Sequence, residues 1–196
     1  EEAQMVAELD NNIRACYISR DSITFLSVKE IENLGGNINS RADEYFPFVS
    51  NDQTLLFFTG RRNNQADENI YYSRYINGQW TEGLPLGSKF NTSGHEGMST
   101  VVRDGKTMFF SACEREGVLG PCDIWQANIE GTEVGNVRTL TGGVNSEKWD
   151  SQAAVSCDGN TLYFTSNRNG SYDIWMSKRD LDGNWGEPVN LGENVN

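Results

Sequence analysis

The chain has 196 residues, a formal net charge of -12, and 20 glycines against four prolines. This acidic balance argues against nucleic acid or an anionic lipid surface as the main partner, because phosphate polymers need clustered Lys and Arg. No apolar run approaches the roughly 20 residues that span a bilayer, and the first ten residues lack the charged, apolar and cleavage regions of a signal peptide. We therefore expect a soluble chain without direct membrane insertion, from which any export signal was removed or never present.

The first 30 residues differ in pattern from the rest of the chain. Residues 2–18 place Met5, Leu9, Ile13 and Cys16 at spacings of three and four, which predicts an amphipathic helix. A lone helix of this length is marginal in water, so it either packs on the first sheet or ends a helical domain upstream, and the second alternative is favoured. Residues 25–35 alternate like a strand. We assign residues 1–30 to a helical segment with a lead-in strand.

A repeat begins near residue 34. Leu34, Leu86, Leu140 and Leu191 lie 52, 54 and 51 residues apart, each at the start of a similar Gly- and Asn-bearing stretch. A period of about 50 residues fits one four-stranded propeller blade. The sequence therefore predicts an all-β fold, a β-propeller with blades at 34–85, 86–139 and 140–190, the start of a fourth at 191–196, and a short N-terminal helix.

Each repeat contains signals for four strands. In the third repeat the predicted strands are residues 152–156, 161–166, 172–179 and 187–191. Asp158-Gly159 predicts the tight turn between the first two strands, and Asp104-Gly105 is its counterpart in the second repeat. A hydroxyl residue follows the central aromatic pair in all three repeats. Superimposing the repeats aligns Phe58, Phe110 and Phe164.

One face of the predicted propeller is the candidate working surface. The segments leading into each first strand and the loops between second and third strands open on the same side, and they are the most variable parts of the repeats. An exposed Trp among mixed charges is typical of protein contacts. An equally favoured alternative is that Trp149 packs between blades and the charges form a solvated rim. The candidate binding residues are Arg61, Arg62, His95, Glu114, Arg115, Trp149 and Arg168.

Three acids at equivalent positions, Glu44, Glu96 and Asp150, allow two interpretations. Convergent carboxylates can bind a cation, but each acid can instead pair with an arginine or accept backbone amides, and this second interpretation is favoured. His95 is the only histidine, which excludes a two-histidine zinc site. We predict no metal, no other cofactor and no catalytic residue.

The four cysteines fall into two groups. Cys113 and Cys122 flank a glycine-containing loop, and we expect a disulfide between them in the oxidised protein. Cys16 and Cys157 lie among apolar residues and are expected to be buried thiols.

The motif "YFPFVSNDQTLLFFTGRR" together with "IYYSRYINGQW" resembles the PD40 or WD40-like repeats of TolB-type propellers, over residues 31–196. A predicted helix ending "IRACYIS" that runs into "VKEIENLGGNINSRADEYF" resembles the join between tetratricopeptide repeats and propeller in PorE-type proteins of Bacteroidetes. That resemblance implies an outer-membrane-associated periplasmic protein of the type IX secretion machinery, with other secretion subunits as partners. The OmpA-like peptidoglycan-binding domain of that family has no counterpart in residues 1–196, so its activity is not carried over.

These observations lead to one expected function and one alternative. The expected function is a non-catalytic protein-interaction scaffold of the bacterial periplasm, with protein partners on the loop side of the propeller. The alternative is a glycan- or peptide-processing enzyme built on a propeller, which would require convergent carboxylates or a nucleophile with its base at the channel mouth.

Overall fold

The structure is a computed structural model that describes residues 31–62 and 66–196. The predicted N-terminal helix and Cys16 lie outside these residues. Residues 31–35, the described end of the predicted lead-in strand, are irregular and exposed, so they have no buried face to favour a strand. Residues 34–196 form one compact unit. Within the described residues, no helix has the length and apolarity needed to cross a membrane.

Three antiparallel sheets follow one another along the chain, as predicted. The first contains β1 (Glu44–Val49), β2 (Leu55–Gly60), β3 (Asn69–Ile76) and an outer strand in two pieces, β4 (Gln79–Trp80) and β5 (Leu84–Pro85). The second contains β6 (His95–Val101), β7 (Thr107–Cys113), β8 (Cys122–Glu130) and β9 (Glu133–Thr139). The third contains β10 (Asp150–Val155), β11 (Thr161–Ser166), β12 (Asp173–Lys178) and β13 (Val189–Asn190). A single helical turn, α1 (Gly87–Phe90), joins the first sheet to the second.

The predicted alignment of the repeats is confirmed by strand register. Phe58 lies opposite Tyr71, Phe110 opposite Trp125, and Phe164 opposite Trp175. The predicted outer strand at 187–191 is shorter in the structure, because Pro188 has no backbone N–H to donate. The tight turns also form where the Asp residues predicted them. In each turn, Asp52, Asp104 or Asp158 accepts the backbone N–H two residues later.

The aromatic pair of each second strand divides between the two faces of its sheet, as the two-residue period of a strand requires. Phe57 packs in the cluster between the first and second sheets, whereas its neighbour Phe58 packs in a cluster on the other side of the first sheet. Phe110 and Phe109 divide in the same way, toward the first and third sheets. The core therefore consists of layers between successive blades.

Polar side chains also link successive blades. The backbone N–H of Met98 donates to Thr59 Oγ1 at 2.9 Å, and that of Gln152 donates to Ser111 Oγ at 3.0 Å. These acceptors are the hydroxyls that follow the aromatic pairs in the sequence. The repeated hydroxyl thus holds the first strand of the next blade.

A second link uses an asparagine just after each blade. Asn91 bonds both the N–H and the C=O of Ile70, at 2.8 and 2.9 Å. Asn145 makes the same pair of bonds to Ile124, at 2.8 and 2.9 Å. Asn196 does so with the third blade, at 2.6 and 3.0 Å.

One prediction about the cysteines is confirmed and one is wrong. Cys113 and Cys122 form a disulfide across the register pair of β7 and β8. Cys157 is free and exposed rather than buried, because it lies in the hairpin turn between β10 and β11, outside the packed faces of both strands.

Candidate functional site

We define the loop face as the side of the three sheets formed by their approach segments and by the loops between second and third strands. The approach segments are residues 37–44, 90–96 and 144–150, and the loops are residues 60–62 with 66–69, 112–122 and 166–172. All seven candidate binding residues lie on this face. Their contacts separate them into three clasp arginines, the pair Arg61 and His95, and the single residues Trp149 and Glu114.

Three of the seven are arginines that pair with the three repeated acids. The pairs are Arg62 with Glu44 at 3.0 Å, Arg115 with Glu96 at 3.4 Å, and Arg168 with Asp150 at 2.7 Å. Each arginine also donates to two backbone carbonyls. Arg168, for example, donates to the carbonyls of Gly143 and Val144 at 2.8 and 2.6 Å. Each pair therefore ties a loop to the approach segment of its own blade.

The same arginines lie over aromatic rings of their own sheets. Arg62 stacks over Phe58 and Tyr71, with the guanidinium carbon 4.9 Å from each ring centroid. Arg115 and Arg168 repeat this arrangement over the aromatic residues of the second and third sheets. A guanidinium held between a carboxylate and ring faces is fixed in orientation. We call each acid, arginine and aromatic pair an arginine clasp.

The carboxylates of the clasps are directed inward. Asp150 and Glu96 have side chains with no exposure to solvent, and they accept the backbone N–H groups of Ser146 and Thr92 at 2.6 and 2.8 Å. The interpretation that the repeated acids pair with arginines and amides is confirmed. In the described part of the chain, no three His, Cys, Asp or Glu side chains converge to hold a metal ion.

Two other candidates, Arg61 and His95, meet at Glu68 between the first two blades. Arg61 donates to Glu68 Oε1 at 3.1 Å, while His95 Nδ1 accepts the backbone N–H of Glu68 at 3.1 Å. The hydroxyl of Tyr45 donates to the same carboxylate. Burial, followed by this hydrogen bond, raises the pKa of Tyr45 well above its usual range. The group is a polar contact between blades with Arg61 still half exposed.

Trp149 lies on the third blade beside Tyr172, which the sequence analysis did not select. The two rings meet edge to face, with centroids 5.3 Å apart. Tyr172 is 67% exposed, whereas Trp149 is half-buried. The backbone of Trp149 is fixed by two hydrogen bonds with Asn167, at 3.0 and 3.2 Å. The ring contact lies within the third blade, and it presents an aromatic surface on a rigid backbone.

The disulfide loop of the second blade, residues 114–121, reaches toward this aromatic pair. A side chain at Gly120 would lie 2.0 Å from the carbonyl oxygen of Lys148, so only glycine permits the close approach of the loop to the third blade. The buried Asp123 holds the loop by accepting the N–H groups of Leu119 and Gly120 at 2.6 and 3.1 Å. Burial raises the pKa of this carboxyl. Leu119 is left 61% exposed, and Glu114 at the start of the loop is also exposed.

Comparisons with known proteins bear on the fold. TolB from Acinetobacter baumannii has a TM-score of 0.57 at 20% identity, over 85% of this chain and 36% of its own. A thermostable family-43 glycoside hydrolase has a TM-score of 0.52 at 14% identity, over 76% of this chain and 54% of its own. The fold is a TolB-like β-propeller. No protein-family model matches the chain, and no curated protein matches it in sequence. By the coverages above, the chain spans only part of the length of TolB and of the glycoside hydrolase.

Sequence reasoning missed Tyr172, and it placed the arginines both among the candidate binding residues and as favoured partners of the repeated acids. Tyr172 directly follows the polar loop "NRNGS". An aromatic residue beside a short polar turn is expected to be exposed, so the sequence did contain a signal for it. Arg62, Arg115 and Arg168 each follow the second strand of their repeat. Their recurrence at one repeat position was a signal for a structural role.

Proposed function

We propose that the chain is a non-catalytic interaction domain whose loop face binds a protein partner. The observation that carries this proposal is the ring pair of half-buried Trp149 and exposed Tyr172, in which Asn167 fixes the backbone of Trp149. Rigid aromatic side chains contribute large contact area at low entropic cost, which is why they dominate the binding energy of many interfaces. Leu119 extends the apolar surface from the neighbouring blade.

The arginine clasps support the same proposal. Arg62, Arg115 and Arg168 already have carboxylate and carbonyl partners within the chain, so their role is to hold the loops rather than to supply free charge. The three repeated carboxylates are occupied by the same contacts. We therefore assign the binding energy of this face to the aromatic surface and its exposed neighbours.

The proposed compartment is the periplasm. The disulfide between Cys113 and Cys122 fits an oxidising environment. In its finer form, the proposal is that the protein is an outer-membrane-associated component of the type IX secretion machinery whose partners are other secretion subunits. The support for this finer form is the sequence resemblance to PorE-type proteins.

A photo-crosslinking experiment tests the proposal. A photoreactive phenylalanine analogue is placed at position 172 of the full-length protein in its source organism, and cross-linked products are identified by mass spectrometry. The matched position is Asn160, which lies in the turn at the opposite end of β11. We expect a specific protein cross-link from position 172 and none from position 160.

Variants then separate binding from folding. Trp149→Ala should remove the cross-link, with the melting temperature nearly unchanged. Tyr163→Ala, which removes a partly exposed aromatic residue in β11 away from the loop face, should leave the cross-link intact. Arg168→Ala is unsuitable as a binding probe, because it leaves the buried Asp150 unpaired. Equal cross-linking from positions 172 and 160, or an undiminished cross-link in Trp149→Ala, would contradict the proposal.

A further inference from the structure

A small pocket lies between the second and third blades, outside the loop face. Its volume is about 170 Å³, which leaves room for one functional group of a ligand rather than for a drug-sized molecule. Residues 138–141, at the end of β9 and just after it, form one wall, and residues 183–185 of the turn between β12 and β13 form another. A side chain at Gly142 would overlap the carbonyl group of Trp185, so the two walls are in direct contact. The pocket is therefore built from closely packed parts of two blades.

Two arginines line this pocket, and neither has a carboxylate partner. Arg138 lies in β9, and Arg179 directly follows β12. Within residues 31–62 and 66–196, their side chains make no ion pair and no hydrogen bond. The clasp arginines, by contrast, each have a carboxylate and two carbonyls as partners. The fold thus leaves two guanidinium groups unpaired in one pocket.

The pocket has an excess of positive charge. Burial, and then the charge of Arg138, lower the pKa of Arg179. The charge of Asp104 acts in the opposite direction, although its carboxylate forms no ion pair with Arg179. Two guanidinium groups and one nearby carboxylate leave one positive charge in excess. A bound group with a single negative charge would balance it.

Trp185 fixes the orientation of the Arg179 guanidinium. The guanidinium carbon lies 4.6 Å from the centroid of the Trp185 ring, and that ring packs edge to face on Phe109 with centroids 5.8 Å apart. Because only the Nε of this guanidinium is enclosed, the two Nη groups are the part that a ligand can reach. Two parallel N–H groups on a planar guanidinium match the two oxygens of a carboxylate.

A buried glutamine adds an amide to the same pocket. Gln126 is only 6% exposed, and it lies opposite Arg138 in the register of β8 and β9. Its amide makes no hydrogen bond in the part of the chain that the structure describes, yet the amide atoms are not sealed from solvent. An amide that is mostly buried and has no protein partner destabilises the free protein. Its N–H groups can donate to an anion bound beside the two arginines.

The repeat does not require these three side chains. Strand register gives their counterparts at the boundary between the first and second blades. All three counterparts are uncharged, namely Tyr72 for Gln126, Leu84 for Arg138 and Ile129 for Arg179. The two arginines and the amide are therefore specific to the boundary between the second and third blades, which points to a ligand rather than to the fold.

We propose that this pocket binds a carboxylate group. The two Nη groups of Arg179 donate to the two carboxylate oxygens, and Arg138 and the amide of Gln126 complete the set of donors. Phosphate is less suitable, because it carries close to two negative charges at neutral pH whereas the pocket has an excess of one positive charge. The source of the carboxylate is either a free small acid or the C-terminal end of a peptide. The pocket shares no residue with the ring pair of Trp149 and Tyr172, so this proposal does not depend on the proposed function.

The test is a titration of the ¹⁵N-labelled 196-residue chain with acetate, at constant ionic strength so that screening does not change. The resonances followed are the Nε–H of Arg179 and the side-chain amide of Gln126. We expect saturable shifts at both, with a dissociation constant in the millimolar range. N-acetyl-alanine amide, which has no carboxylate, should cause no saturable shift.

Two further probes distinguish the sources of the ligand. If N-acetyl-alanine binds more tightly than acetate by about threefold or more, the source is a peptide C-terminus, and if it does not, the source is a small acid. Phosphate should bind more weakly than acetate. The absence of a saturable response to either acid, a saturable response to the neutral amide, or tighter binding of phosphate than of acetate would overturn the proposal.

Variants identify the donors. Arg179→Gln removes the charge and the paired Nη groups, and it should weaken acetate binding at least about tenfold. Gln126→Met introduces the residue type that Met176 provides at the equivalent position of the third blade. It should weaken binding about threefold, with the melting temperature unchanged or raised, because it removes an unpaired amide. Arg103→Gln removes an exposed arginine outside the pocket, so it is the control for the change in net charge and should bind acetate normally.

The variants can also contradict the proposal. Unchanged affinity in Arg179→Gln, or an equal loss of affinity in Arg103→Gln, would refute the assignment of the pocket. A lowered melting temperature in Gln126→Met would show that the amide serves the fold, and it would count against a role in binding.

Discussion

Removing the amide of Asn145 should destabilise the chain far more than removing the same amide at Asn196. Both side chains bond the N–H and C=O of one isoleucine in the preceding third strand. The difference lies in what surrounds that isoleucine. Ile124 is completely buried, whereas Ile174 is 40% exposed.

The magnitude follows from what replaces the lost hydrogen bonds. In Asn145→Ala the backbone donor and acceptor of Ile124 remain buried without partners, and each unsatisfied group costs about 1 to 3 kcal/mol. We expect a loss of about 2 to 4 kcal/mol in the free energy of unfolding, since the cavity admits some relaxation. That loss corresponds to a fall of roughly 5 to 15 °C in melting temperature for a chain of this size. In Asn196→Ala water reaches the freed groups, and the expected loss is below about 1 kcal/mol.

Urea unfolding followed by tryptophan fluorescence and by circular dichroism measures both variants, and agreement of the two signals checks that unfolding is two-state. Asn91→Ala, whose partner Ile70 is also fully buried, should behave like Asn145→Ala. Equal losses at positions 145 and 196 would refute the reasoning that burial of the partner sets the cost. A small loss at all three positions would show that the asparagines do not hold the blades together.

Further predictions concern the clasps, the disulfide, the turns and the free face of the third blade. Arg168→Ala should lower the free energy of unfolding in chemical denaturation by about 3 to 5 kcal/mol, because it leaves the buried carboxylate of Asp150 without its partner. Arg61→Ala removes a half-exposed ion pair and should lower it by less than about 1 kcal/mol. Replacing Cys113 and its partner with serine should cost about 2 to 3 kcal/mol and abolish the effect of reductant on the melting temperature; mass spectrometry that finds both thiols free in the untreated protein would contradict the bridge. Hydrogen bonds from Ser156 and the Asn160 amide lower the pKa of Asp158, so its contribution to stability is present above about pH 4 and disappears as the pH falls through the lowered folded-state pKa. The urea midpoints of the natural protein and Asp158→Asn should therefore converge in acid, and a difference that persists at low pH would argue against this linkage. Tyr163, Ile174 and Val189 leave partly exposed apolar surface on the third blade, so the 196-residue chain should self-associate through that surface, and a stable monomer by light scattering would disprove this expectation.

The repeat allowed much of the fold to be predicted from sequence. The aromatic pairs, the Asp turns and the hydroxyls recur at one spacing. Each makes a contact, either within its own blade or with the next blade, that requires that type of residue. Thr59 and Ser111 bond the following blade, which is why a hydroxyl recurs there. The Asp turns form through hydrogen bonds between residues two positions apart, so the local sequence is enough to predict them.

The candidate site could be predicted only in part, because its contacts join distant residues. Arg168 lies 18 residues from Asp150, and no spacing rule predicts that its guanidinium also reaches the carbonyl of Val144. The β-bulges at Met98 and Gln152 depend on a bond from one blade to the next, which periodicity within a strand does not reveal. Cys157 was expected to be buried on account of its apolar neighbours, but its place in a turn decides its exposure.

The regularity of the clasps indicates where function can reside on this scaffold. The residue before the clasp acid is Asp43 in the first blade, His95 in the second and Trp149 in the third. The residue before the start of the third strand varies in the same way, and in the third blade it is Tyr172. Because the clasp holds the backbone at these two positions in the same place in every blade, the side chains there can change without loss of the fold. Only the third blade has an aromatic residue at both positions. A partner that recognises the loop face through apolar contact should therefore bind over the third blade and the adjoining disulfide loop, rather than evenly around the propeller.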